Sequence, residues 1–118
     1  MGKLAGWLDR VAATPLADND ARWLGHGGHV ESWFLRANDP AAPRALWCKL
    51  TMLAPQQGQP VAEAWAIAFD GDRTLGLRAT VPLVEARLGH ASAGLRVGGC
   101  RMSLDDAGGA AVGEITAD

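Results

Sequence analysis

Cysteine, lysine and long apolar runs are all scarce in this 118-residue chain, and each scarcity removes a class of protein. Two cysteines, Cys48 and Cys100, cannot make the disulfide framework of a small secreted domain, so a reduced, cytoplasmic setting is expected. Eleven Lys and Arg against thirteen Asp and Glu leave a formal net charge of −2, without the basic stripe of a nucleic-acid binder. No stretch approaches the ~20 apolar residues with which a helix spans a bilayer. The opening MGKLAGWLDRV has neither the apolar core nor the cleavage site of a secretory signal. Gly6 stands where a myristoylation motif needs Ser or Thr. GHGGH and GLRVGGC lack the Gly-Lys-Ser/Thr ending and following helix of a phosphate cradle, and nothing resembles a nucleophile elbow.

What remains is a chain with 48% apolar residues, enough for one core. Leu4, Trp7, Leu8 and Val11 fall on one stripe of a short N-terminal helix, and a helix and loop are expected over residues 1–22. From residue 23 to 118 the texture is that of an antiparallel β domain. HVESWFLRAN (29–38), RALWCKLTMLA (44–54) and VAEAWAIAFD (61–70) suit pleated, half-buried strands, with NDPAAP and PQQGQP as turns between them. Asp70-Gly71-Asp72 opens a further hairpin into RTLGLRATVPL. LRVGGCRMSL, bent at Gly98-Gly99, and AAVGEITA read as later strands, with VEARLGHASAG ahead of them as a loop or broken strand.

Paired positions in the first two hairpins suggest a register. Centring the first on Pro40 sets Trp33 opposite Trp47 and Glu31 opposite Lys49. Centring the second on Gln56 sets Trp47 opposite Trp65 and Lys49 opposite Glu63. One face then carries two rows, Trp33–Trp47–Trp65 and Glu31–Lys49–Glu63. The other carries Leu46, Cys48, Leu50 and Met52 beside Ala62, Ala64, Ala66 and Ala68, so neither side is polar and both need a cover. The Trp row reads either as the wall of a pocket for an apolar molecule or as a core ladder. The charged row reads as a structural ion-pair network, as the anchor for a ligand's polar end, or as the source of a general acid for hydrating an alkene. These six residues, Glu31, Trp33, Trp47, Lys49, Glu63 and Trp65, are the candidate ligand-binding set.

His26, His29 and Glu31 do not make a convincing metal site, because the Gly27-Gly28 spacer leaves His26 unplaced. Asp70-Gly71-Asp72 is turn chemistry rather than a calcium loop. Cys48, mid-strand on the apolar face, behaves as a small hydrophobe. No cofactor is expected.

The stretches HVESWF, ALWCKLTML and AEAWAIAFDGD resemble the N-terminal half of the lipocalin-like group that contains the carotenoid 1,2-hydratases (hydroxyneurosporene synthases) and the AttH-like domains. The likeness covers about residues 23–72 and centres on Glu31-Ser32-Trp33-Phe34. Phe34 stands where many members have Tyr. The resemblance implies a lipocalin-like (calycin) half-barrel or strongly curved sheet, the first half of a two-barrel protein. It also implies an apolar or amphipathic ligand (a lipid, isoprenoid or polyene) and a C-terminal barrel or a second copy as partner. Cofactor-free hydratase or isomerase activity would belong to the complete protein, and no catalytic residue is carried over. The alternative is a non-catalytic structural half-domain whose apolar faces pack on that partner.

Overall fold

A computed structural model describes residues 20–90, 94–105 and 108–115, the side chains of 104–111 excepted. The chain is all-β and antiparallel. Strands β1 (His29–Asn38), β2 (Arg44–Ala54), β3 (Val61–Asp70) and β4 (Arg73–Pro82) form a four-stranded meander in sequence order. A 3-10 turn (Leu83–Glu85) leads away from it. Strands β5 (Leu95–Val97), β6 (Cys100–Asp105) and β7 (Gly108–Val112) form a second sheet. The expected N-terminal helix falls almost wholly on residues outside those described. Among the described residues no helix is long and apolar enough to cross a membrane.

Two tight hairpins follow from glycine at a positive-φ position. Gly71 (φ 62°) follows the Asp70–Arg73 pair that closes β3 onto β4, and Gly98 (φ 56°) does the same between Val97 and Cys100. The β1–β2 connection is wider. There the Asp39 carboxylate accepts a hydrogen bond from the Ala41 N–H at 2.8 Å, and the Asp39 N–H donates to the Arg44 carbonyl at 2.9 Å.

That turn corrects the expected register. The Asp39 cap centres the hairpin between Ala41 and Ala42 rather than on Pro40, so Trp33 lies opposite Leu50 and Glu31 opposite Met52. The shift is an odd number of residues, and an odd shift reverses every side chain of the strand. Trp33 and Glu31 therefore leave the face expected for them. The second hairpin is centred on Gln57 rather than Gln56, with Lys49 opposite Trp65 and Thr51 opposite Glu63. This even shift keeps Trp47, Lys49, Glu63 and Trp65 together.

The observed pairing separates the faces by polarity better than the expected one. On the inner face Trp33, Leu50, Ala64 and Ala79 stand in one row, and Leu35, Cys48, Ala66 and Leu77 in the next. On the outer face the Ser32 and Thr51 hydroxyls meet at 3.0 Å. The core lies where the second sheet crosses the inner face: Leu50, Met52, Ala62 and Ala64 are buried against Leu88, Leu95 and Val97, with Trp33, Trp23 and Ala21 packed at its margin. The alanines on β3 let that sheet approach closely.

The half-barrel curvature implied by the resemblance is not seen. The four-stranded sheet is open, with β1 and β4 as its edges among the described residues, and is not strongly curled. Its three ladders run about ten residues each without a bulge, and bulges are the usual means of bending a sheet toward closure.

The register is testable by cross-linking. With Cys48 and Cys100 replaced by Ala, Ser32→Cys together with Thr51→Cys is expected to form a disulfide on mild oxidation, read as a loss of two protons by mass spectrometry. Ser32→Cys alone, with Cys48 left in place, should form no such bond, since the two positions lie on opposite faces. A link between position 32 and Cys48 would instead support the Pro40-centred pairing.

Candidate functional site

The structure divides the six candidate residues into four and two. Trp47 and Lys49 on β2, with Glu63 and Trp65 on β3, share the outer face, and β4 adds Arg78. Phe34, Lys49, Trp65 and Arg78 stand directly opposite one another across all four strands. The Lys49 ammonium lies 5.4 Å from the Trp47 ring centroid and 5.3 Å from that of Trp65. Arg78 reaches Trp65 as well, its guanidinium carbon 5.2 Å from the centroid. Phe34 meets Trp47 in a tilted contact, centroids 6.4 Å apart. The result is a ladder of alternating rings and cations, each such contact worth about 0.5–1 kcal/mol at partly exposed positions.

The acid in this ladder does not serve Lys49. Glu63 accepts a hydrogen bond from Trp65 Nε1 at 2.8 Å, and its other oxygen lies 3.7 Å from Arg78. The Glu63 side chain is 12% exposed and that of Arg78 is 55% exposed, so the ion pair is screened on one side and contributes little. Among the described residues no carboxylate pairs with Lys49. The expected Glu31–Lys49–Glu63 row is therefore absent: Glu31 is on the other face and Glu63 is occupied by its neighbours.

Glu31 and Trp33 work inside. The two Glu31 oxygens accept from the Arg22 N–H at 3.1 and 2.9 Å, and His29 Nε2 lies 2.9 Å from one of them. Glu31 thus ties the segment before β1 to the sheet. His26 takes no part in this arrangement through its ring, and its carbonyl accepts from Trp23 Nε1 at 3.1 Å. Among the described residues no group of three or more His, Cys, Asp or Glu is placed to hold a metal ion.

Cys48 lies on the inner face, and Cys100 begins β6 opposite it across the space between the sheets. Burial pushes both thiols above their ordinary value of 9.0. For Cys100 the Glu114 carbonyl, 3.7 Å from Sγ, opposes that shift and Cys48 adds to it. Both thiols are therefore protonated and weakly nucleophilic at neutral pH.

Arg78 and Phe34 were absent from the candidate set. The signal for Arg78 was present: a two-residue turn at Gly71-Asp72 fixes the β3–β4 register and sets Arg78 opposite Trp65. Phe34 depended on the β1 register and could not be placed without it.

No family model matches the chain, and no curated protein or solved structure matches it.

Three outcomes follow from this geometry. Lys49→Met is expected to cost no more than about 1 kcal/mol in urea denaturation, because it strands no carboxylate and removes only cation–π contact. Glu63→Gln should cost about 0.5–1.5 kcal/mol, since the amide oxygen still accepts from Trp65; a loss several times larger would contradict the screened pairing. The thiols set a pH dependence. Their folded values are raised, so their contribution to stability is complete below the unfolded value and declines as pH rises through the folded ones. Stability should fall at alkaline pH more in the native chain than in a Cys48→Ala, Cys100→Ala variant.

Proposed function

We propose that the chain is a binding module for an amphipathic small molecule with an anionic end, an acyl or isoprenoid carboxylate being the class that fits. The outer face of the four-stranded sheet supplies one wall of the site. The observation that carries this reading is the Lys49 ammonium, held between two indoles with no carboxylate partner among the described residues. A cation so placed offers charge-assisted hydrogen bonds to an oxyanion, while Trp47, Trp65 and Ile67 offer apolar surface beside it.

Small molecules bind in concave sites, and this face is open. The second wall is proposed to come from a β-barrel domain or a second copy. That is the role for which the likeness of residues 23–72 to the lipocalin-like hydratase and AttH-like group argues. Binding rather than turnover is the function supported. Hydration of an alkene needs a proton donor free to reach the double bond, and the oxygens of both Glu31 and Glu63 are engaged by other groups.

A structural half-domain is the second reading. Val30 at 67% and Phe34 at 63% exposure on the same outer face would be covered by a partner with no ligand between.

Laurate and its uncharged counterpart dodecanol separate the two. Quenching of tryptophan fluorescence should show laurate binding at least about tenfold more tightly than dodecanol, the difference a charge-assisted hydrogen bond contributes. Lys49→Met should remove that preference. Equal affinity for the two compounds, or laurate binding unchanged in Lys49→Met, would leave the structural reading standing.

A further inference from the structure

On the inner face the core is incomplete. Leu88, Leu95 and Val97 cover Leu50, Met52, Ala62 and Ala64, but further along the sheet a cleft of about 130 Å³ lies between the two layers. Cys48, Ala66 and Leu77 line it from the first sheet, and Cys100, Gly113 and Ile115 from the second segment, with Lys49 and Arg101 also among the residues that border it. Its origin is in the sequence. Cys48, Ala66 and Leu77 stand in one row across β2, β3 and β4, and the methyl group of Ala66 leaves the middle of that row low. The opposite wall is itself tightly packed where Gly113 passes Cys100: a Cβ built on Gly113 would lie 2.7 Å from the Cys100 Cα.

We infer that this cleft is a second binding site, which takes a neutral apolar group the size of an aromatic ring or the branched end of a hydrocarbon. Three observations set that class. The volume is close to that of apolar cavities, about 150 Å³, that stay dry and admit benzene. Strand alternation points the Lys49 side chain to the opposite face of the first sheet, and in β6 it turns Arg101, next to Cys100 and paired with the exposed Val112, to the far side of the second. The side chains left between the sheets are those of Cys48, Ala66, Leu77, Cys100 and Ile115, and none of them carries a charge. The polar hydrogens available are two thiols, of which Cys100 already donates to the Glu114 carbonyl, and no buried side-chain nitrogen or oxygen among the described residues is left unpaired. A charged or strongly hydrogen-bonding ligand would lose its hydration and gain nothing in return. The sheet separates this site from Lys49, so the inference stands or falls independently of the outer-face reading.

The two thiols report occupancy directly. Labelling of Cys48 and Cys100 by N-ethylmaleimide, followed residue by residue by mass spectrometry, is expected to slow several-fold in benzene-saturated buffer. Ala66→Leu fills the low point of the row and should abolish that protection, with the fold checked by circular dichroism. Leu77→Ala enlarges the cleft and should let naphthalene protect both thiols, which it does not do in the native chain. Labelling unaffected by benzene in the native chain overturns the inference, as does protection that survives in a folded Ala66→Leu. If Ala66→Leu does not fold, Leu77→Ala decides: no gain of naphthalene protection overturns it.

Discussion

Once β2 and β3 pair, strand alternation delivers Leu50, Met52, Ala62 and Ala64 to a single side of the sheet, and the position of the other elements follows from the need to cover them. Each large apolar side chain buried there contributes about 1.5–3 kcal/mol. The cover is short: Leu88 from the connection and Leu95 and Val97 from β5. It is held by the Arg87–Arg96 bridge, whose two backbone hydrogen bonds, 2.8 and 2.7 Å, clip the connection to β5. At the β1 margin Glu31 does comparable work by receiving the Arg22 N–H, which brings Ala21 and Trp23 against the same core. A carboxylate expected in a ligand site is thus part of the scaffold that keeps the inner face closed.

The same alternation decides what is left outside. The alternate residues of β2 and β3 are turned to the outer face, where Lys49, Trp47, Trp65 and Glu63 organise one another. Glu63 is drawn to the indole N–H of Trp65 and to Arg78, and Lys49 is left to the ring faces. Among the described residues no carboxylate pairs with the Lys49 end of this ladder, although the whole chain carries a net charge of −2. Local pairing, rather than net charge, sets what an open face attracts.

The first three strands were legible to the residue, because proline, glycine and acid–amide turns bound their β-branched, aromatic and alanine-rich interiors. Their pairing was only half legible. A connection of unknown internal geometry leaves the register open by several residues, and complementary side chains are weak arbiters: Trp33 with Trp47 and Glu31 with Lys49 look well matched yet do not meet. The Asp39 side chain, bonding to Ala41, moved the first centre by one and a half positions. The second centre moved by one, which preserved the faces and hence four of the six candidate site residues. The short turn at Gly71-Asp72 admitted no such freedom, and there sequence alone fixes Trp65 against Arg78. The inner-face cleft was not legible, since it depends on how the second sheet lies over the first.

The outer face is also graded across the sheet. β4 presents Thr74, Arg78, Thr80 and Pro82 there, a polar margin of the kind that blunts an edge strand. β1 presents Ser32, Arg36 and Asn38 beside the well exposed Val30 and Phe34, and between the two edges lie Leu53, Val61, Ile67 and Phe69 beside the ladder. Apolar residues on the central strands, flanked by polar residues on both edges, have the arrangement of an interface core with its rim. A second wall for the proposed site would therefore gain most by lying over β2 and β3 and the exposed Val30 and Phe34 of β1, leaving β4 in water. Arg78 would then sit at the boundary, its guanidinium on Trp65 and its polar edge toward solvent, and Lys49 would lie deeper, where excluding water strengthens its attraction for an oxyanion.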